Sequence, residues 1–129
     1  MTTLFTRIVN GEIPCHRLAE DEHYLAFLDI RPIRAGHALV ITKQPTDYLF
    51  DLDDALLGGL LCFARPVAKA IEQVVPCRRI GVTVVGLEVP HCHVHLIPID
   101  GIHDMDFRRA QPADADELAQ LADRIRAAL

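Results

Sequence analysis

His91-Cys92-His93-Val94-His95-Leu96-Ile97-Pro98-Ile99 alternates histidine with small or apolar residues and then stays apolar until Asp100. In an extended strand successive side chains point to opposite faces, so His91, His93 and His95 share one face at roughly 6.5 to 7 Å intervals. Cys92, Val94 and Leu96 face the other way. Three imidazoles on one strand face make a costly core, because each buried ring nitrogen needs a hydrogen-bond partner. That face is therefore expected to be a site rather than packing. Two chemistries fit. Imidazoles are common transition-metal ligands; alternatively, one imidazole attacks phosphorus while its neighbours bind phosphate oxygens and set its tautomer. The metal reading is the weaker, because no carboxylate stands beside the histidines on their own face to orient metal-bound rings.

Outward from this strand the pattern is mixed α and β. Arg79 to Val85 reads as the preceding strand, joined to the histidine strand, His91 to Ile99, through Gly86-Leu87-Glu88-Val89-Pro90. Upstream, Asp51-Leu52-Asp53-Asp54 suits a helix N-terminus, and apolar positions from Leu56 through Val75 recur every three or four residues. This predicts a long helix, kinked or interrupted at Pro66 and ended before Pro76. His37 to Thr42 is a strand-length apolar run after an Ala35-Gly36 turn. Cys15 to Ala19 and Tyr24 to Ile30 read as a hairpin turning at Glu20-Asp21-Glu22. Leu4 to Val9 has helical spacing and stops at Asn10-Gly11. Pro112 to Leu129 begins acidic and ends basic, with Leu118, Leu121, Ile125 and Leu129 on one face, as a helix consistent with its own dipole requires.

A chain of 129 residues, half of them apolar and 24% charged, fits one soluble domain and excludes a membrane span. Eighteen acidic residues against thirteen basic ones, net charge -5, and no cluster of Lys and Arg argue against a nucleic-acid partner. A handled phosphate is then expected on a small molecule. Cys15, Cys62, Cys77 and Cys92 contain no Cys-x-x-Cys pair, and no charged and apolar leader opens the sequence, so free thiols and a cytoplasmic location are expected.

The block Gly86 to Pro98 resembles the signature of the histidine triad family: His, apolar, His, apolar, His, two apolars. The likeness extends to Leu4-Phe5, Gly11-Glu12-Ile13-Pro14, Ala26 to Ile30 and Gly36 to Ile41, covering residues 4 to 99. It implies a single α+β domain over 1–129, with residues 100–129 as a C-terminal extension. An antiparallel sheet of about five strands would carry a long helix, a short N-terminal helix and a C-terminal helix. It also implies that His93 attacks the α-phosphorus of a purine nucleotide conjugate through a covalent nucleotidyl-histidine, that His95 binds phosphate oxygen, and that His91 and His37 hold the tautomer. Asp29 would take the ribose hydroxyls; Ile30, Leu4, Phe5 and Ile8 would wall the base; and Gly86, Leu87, Glu88 and Val89 would line the substrate loop. The activity implied is a nucleoside phosphoramidase, with dinucleoside polyphosphate hydrolysis or regulatory nucleotide binding as alternatives. No cofactor is implied, and a homodimer is. The loop departs from relatives that carry Gly-Gln, or a serine at the position of Glu88, and it lacks an asparagine in Val84-Val85-Gly86. The cysteine pair that binds zinc near the N-terminus of some relatives is missing, which predicts no structural metal.

Overall fold

The protein is described from a computed structural model covering residues 2–129. Its elements are α1 (Leu4–Val9), β1 (Arg17–Glu20), β2 (Tyr24–Leu28), β3 (Ala38–Thr42), α2 (Asp54–Val74), β4 (Arg79–Thr83), β5 (His93–Ile99) and α3 (Ala115–Ala127), with short 3-10 turns at Leu49–Asp51, Ile102–Met105 and Phe107–Arg109. The five strands form one antiparallel sheet in the order β1-β2-β3-β5-β4. The expected α+β architecture is therefore present, helix for helix.

Local chemistry explains the ends of the elements. The Asp21 carboxylate accepts from the backbone N–H groups of His23 and Tyr24, at 2.8 and 2.9 Å, and closes the hairpin turn. Asp53 caps α2 by accepting from Leu56 N–H at 2.8 Å, and Asp114 caps α3 by accepting from Glu117 N–H at 3.1 Å. Helix α2 is one element through Pro66, so the expected interruption does not occur. Packing secures that stretch: Ala64, Val67, Ala70 and Ile71, on both sides of the proline, are all buried. β5 begins at His93 rather than His91, because Pro90 lacks an amide donor and Cys92 N–H leaves the ladder for the Thr46 carbonyl at 2.7 Å. β4 likewise ends at Thr83, short of Val85.

The sheet divides the interior in two. On one face Cys92, Val94 and Leu96 pack with Leu60, Val67 and Ile71 of α2 and Leu118, Ala122 and Ile125 of α3. On the other, Phe5 of α1 packs with Leu25, Phe27, Leu39 and Ile41. Residues directly opposite in an antiparallel pair share a face; Leu39 pairs with His95 and Ile41 with His93. The histidines thus lie on the side of the smaller cluster, beneath α1, as the period-two reading requires. All four cysteines are free. Among the described residues, no helix is long and apolar enough to cross a membrane.

Candidate active site

His93 is fixed by its own strand entrance. Its Nδ1 lies 2.7 Å from the carbonyl oxygen of His91, which can only accept, so Nδ1 carries the proton. In the neutral ring Nε2 is therefore the nitrogen with the lone pair, and it has no hydrogen-bond partner among the described residues. The ring packs edge-on to Phe5, with centroids 5.0 Å apart. The resemblance implied that His91 helps to hold the His93 tautomer, and the His91 group in contact with His93 Nδ1 is the backbone carbonyl.

The His91 ring is occupied elsewhere. Its Nε2 donates to the Thr42 carbonyl at 2.6 Å, and its Nδ1, 2.7 Å from Thr3 Oγ1, accepts from that hydroxyl. Thr3 also caps α1 by accepting from Thr6 N–H at 3.0 Å. One threonine thereby fixes both the helix and the ring above which Phe5 sits. With both nitrogens bonded inside the fold, His91 offers no lone pair to a metal shared by the three triad histidines.

His95 ends a short relay. Gly36 at φ +96° turns the chain into β3, a conformation that side chains other than glycine's rarely adopt, and brings His37 beneath β5. Ile33 N–H donates to His37 Nδ1 at 3.0 Å, so the neutral His37 ring carries its proton on Nε2. That proton is donated to His95 Nδ1 at 2.9 Å, which leaves His95 with its own proton on Nε2. Burial pushes both rings far below the ordinary imidazole range: His37 to about 4, and His95 to about 3 with help from the neighbouring His37 and His93. His95 is consequently a neutral N–H donor at physiological pH.

These depressed values imply a pH dependence of stability. The unfolded chain takes a proton on each histidine near pH 6.5, whereas the fold refuses it until about pH 4 for His37 and about pH 3 for His95. Stability is full above pH 6.5 and falls as the pH drops through that window, by up to about 1.4 kcal/mol per unit for each ring. Urea unfolding at pH 7 and pH 5 should differ by about 2 to 4 kcal/mol, and His37→Asn should flatten the difference. Equal midpoints at the two pH values would contradict this protonation pattern.

Asp29 follows β2 and meets the relay. Its Oδ1 accepts from Arg31 N–H at 2.9 Å, a turn-capping bond, while Oδ2 lies 3.6 Å from His37 Nε2. Because His37 is neutral, this is a polar contact and not an ion pair. Burial raises the Asp29 carboxyl, Arg31 N–H counters, and nearby Glu88 adds to the rise. Asp29, His37 and His95 have ligand-type atoms within 4.8 Å of one another. Within this group His37 Nε2 and His95 Nδ1 are already joined by the relay hydrogen bond.

Asp29, Gly86, Leu87, Glu88, His93 and His95 line one pocket of about 360 Å³, together with Arg31, Val85, Phe107 and Ala110. Gly86 takes φ +75° at the turn of the loop over it. A larger groove of about 520 Å³ between α1, β1 and α3 contains none of the triad residues. The residues expected to wall the base do not line this pocket itself: Leu4 and Ile30 are 48% and 64% exposed, while Phe5 and Ile8, with Val89 of the loop, belong to the smaller core cluster. Phe107 escaped the sequence reading. It stands edge-on to His95 with centroids 4.7 Å apart, twelve residues beyond it in an irregular segment with no periodicity to mark it.

An α+β fold that sets an oriented imidazole and a neutral imidazole donor in the lining of one pocket defines a histidine-triad protein. The sequence matches the HIT domain model over residues 10–102, and the chain belongs to that family. An adenosine 5′-monophosphoramidase of Schizosaccharomyces pombe is 40% identical over 100 residues, 76% of this chain and 74% of that protein. An uncharacterized HIT-like protein of Methanocaldococcus jannaschii is 38% identical over 124 residues, 89% of this chain and 94% of that one. The crystal structure of a Hit-like protein from Bartonella henselae superposes with a TM-score of 0.85 at 31% identity, covering 99% of this chain and 97% of the other.

Proposed function

We propose that this protein is a nucleotide hydrolase that cleaves purine nucleoside phosphoramidates through a nucleotidyl intermediate on His93. The observation that carries the reading is the 2.7 Å bond from His93 Nδ1 to the His91 carbonyl, which reserves the lone pair of Nε2 for an electrophile. Nε2 forms a bond to the α-phosphorus, the bond from phosphorus to the amine nitrogen breaks, and the amine leaves with that electron pair and takes a proton from water. Water then attacks the same phosphorus, loses a proton, and returns the bonding pair to Nε2 as the nucleoside monophosphate is released. Throughout, His95 Nε2–H donates to a phosphate oxygen on which charge builds. Kinship to the Schizosaccharomyces pombe phosphoramidase supports the same substrate class.

The pocket charge favours an amine leaving group over a polyphosphate. Its acidic lining residues are Asp29 and Glu88 against the single cation Arg31, so a departing polyphosphate would bring several negative charges beside carboxylates. Purified protein should therefore turn over adenosine 5′-phosphoramidate with a higher kcat/KM than diadenosine tetraphosphate, and should do so equally well in a chelator. The reverse ranking would favour the dinucleoside polyphosphate reading, chelator-sensitive turnover a metal-dependent one, and no turnover of either a regulatory nucleotide binder.

Asp29 is the residue proposed for the ribose hydroxyls. If its free Oδ2 accepts from them, Asp29→Ala should narrow the preference for ribose over 2′-deoxyribose ligands by about 1 to 3 kcal/mol, the cost of an unpaired polar group. Titration calorimetry with AMP and dAMP measures it; an unchanged preference would leave Asp29 as the Arg31 turn cap alone.

We further propose a cytoplasmic homodimer. Among the described residues β4 is an edge strand whose outer side has no partner in the sheet, and it exposes Val82, 52% open, while α2 exposes Leu61. An open edge of this kind is a template for pairing with a second copy. Light scattering at micromolar concentration should give the mass of two chains, and the mass of one would remove the dimer.

A further inference from the structure

Residues 102–113 form a strap tied at both ends beside the pocket. At its start the Asp104 carboxylate, only 5% exposed, accepts from the backbone N–H groups of Asp100 and Gly101 at 2.8 and 3.2 Å, from Arg34 at 3.4 Å and from Arg109 at 3.2 Å. At its end Gln111 N–H donates to the Pro32 carbonyl at 3.3 Å and Ala113 N–H to the Ile30 carbonyl at 3.1 Å, within a few residues of Asp29. Between the ties, Asp106 caps a second 3-10 turn that begins with Phe107. The ring of Phe107 lies edge-on to His95, centroids 4.7 Å apart, and 6.2 Å from His37.

We propose that Phe107 is a positioning residue for His95, held in place by the Asp104 clasp, so that the C-terminal extension forms part of the active site. The proposal rests on the role given above to His95. His37 supports His95 through one hydrogen bond at Nδ1, and a ring held by one bond can still tilt about it. Phe107 closes the side that hydrogen bonding leaves open, and its edge-to-face contact is the favoured geometry for two such rings. The other titratable or charged groups that line the pocket with His95 are His93 on its own strand, Asp29 after β2, Arg31 and Glu88. Of the pocket residues Phe107 is the aromatic one outside the triad.

The test is a pair of double-mutant cycles on the full-length protein with adenosine 5′-phosphoramidate. Phe107→Ala should lower kcat about threefold to tenfold with KM little changed, and Phe107→Tyr, which keeps the ring edge, should restore most of it. In a His95→Asn background Phe107→Ala should cost nothing further, because the group through which it acts is gone. Asp104→Asn should reproduce the loss of Phe107→Ala, and the two together should be no worse than the worse single change. Additive losses in either cycle, with the parent protein active, would overturn the positioning role and leave the proposed reaction standing. A parent protein without turnover would overturn both.

Discussion

His93→Ala should abolish turnover of an adenosine phosphoramidate, by about 10⁴-fold or more, while AMP affinity changes only severalfold. The asymmetry follows from where the ring stands. In the proposed reaction His93 contributes a lone pair that forms a bond only during turnover, whereas Asp29, Glu88, Arg31 and the loop at Gly86 make up most of the pocket lining. Removing the imidazole leaves the Phe5 side and the sheet intact, since β5 is paired on both sides by β3 and β4. Single-turnover kinetics with calorimetric binding of AMP checks both halves. Parental turnover in His93→Ala would contradict the assignment.

His95→Ala should be the second most damaging change, lowering kcat by about 10²- to 10³-fold with KM little affected. The donor it removes is fixed in advance: Ile33 N–H sets His37, His37 sets His95, and His95 presents Nε2–H to the pocket. A preset donor costs no reorganisation when charge develops on the phosphate. His37→Asn should be milder, about tenfold, because His95 keeps its ring and loses only the partner that selects its tautomer. A His95→Ala protein that raises KM with an unchanged kcat would mean that the ring binds substrate without favouring the transition state.

The triad was legible because period two has a physical meaning in a strand. Three imidazoles on one face need polar partners, and His91, His93 and His95 have them, in Thr3 and Thr42, in the His91 carbonyl, and in His37. The long helix and the C-terminal helix were legible for a similar reason, since their apolar stripes cover one face of the sheet. What the sequence hid depends on tertiary contact. Nothing local distinguishes Leu4 from Phe5, yet α1 turns one outward and the other onto His93. The relay to His95 depends on an amide, Ile33 N–H, that sequence reading treats like any other. Phe107 begins a 3-10 turn capped by Asp106 and preceded by the Asp104 carboxylate, whose partners Arg34 and Arg109 lie on opposite sides of it in sequence. Of the kink or interruption expected at Pro66, the interruption is absent because packing of α2 on the sheet outweighs one lost helical hydrogen bond.

Rapid quenching of the protein with adenosine phosphoramidate radiolabelled at phosphorus, followed by peptide mapping, tests the covalent step most directly. The result expected is label on the peptide that contains His93, in a linkage that acid breaks and base spares, as a phosphorus–nitrogen bond behaves, and no label on His93→Ala. Label on any other residue, or release of AMP by single displacement with no protein-bound label at any time during a turnover, would contradict His93 as the nucleophile.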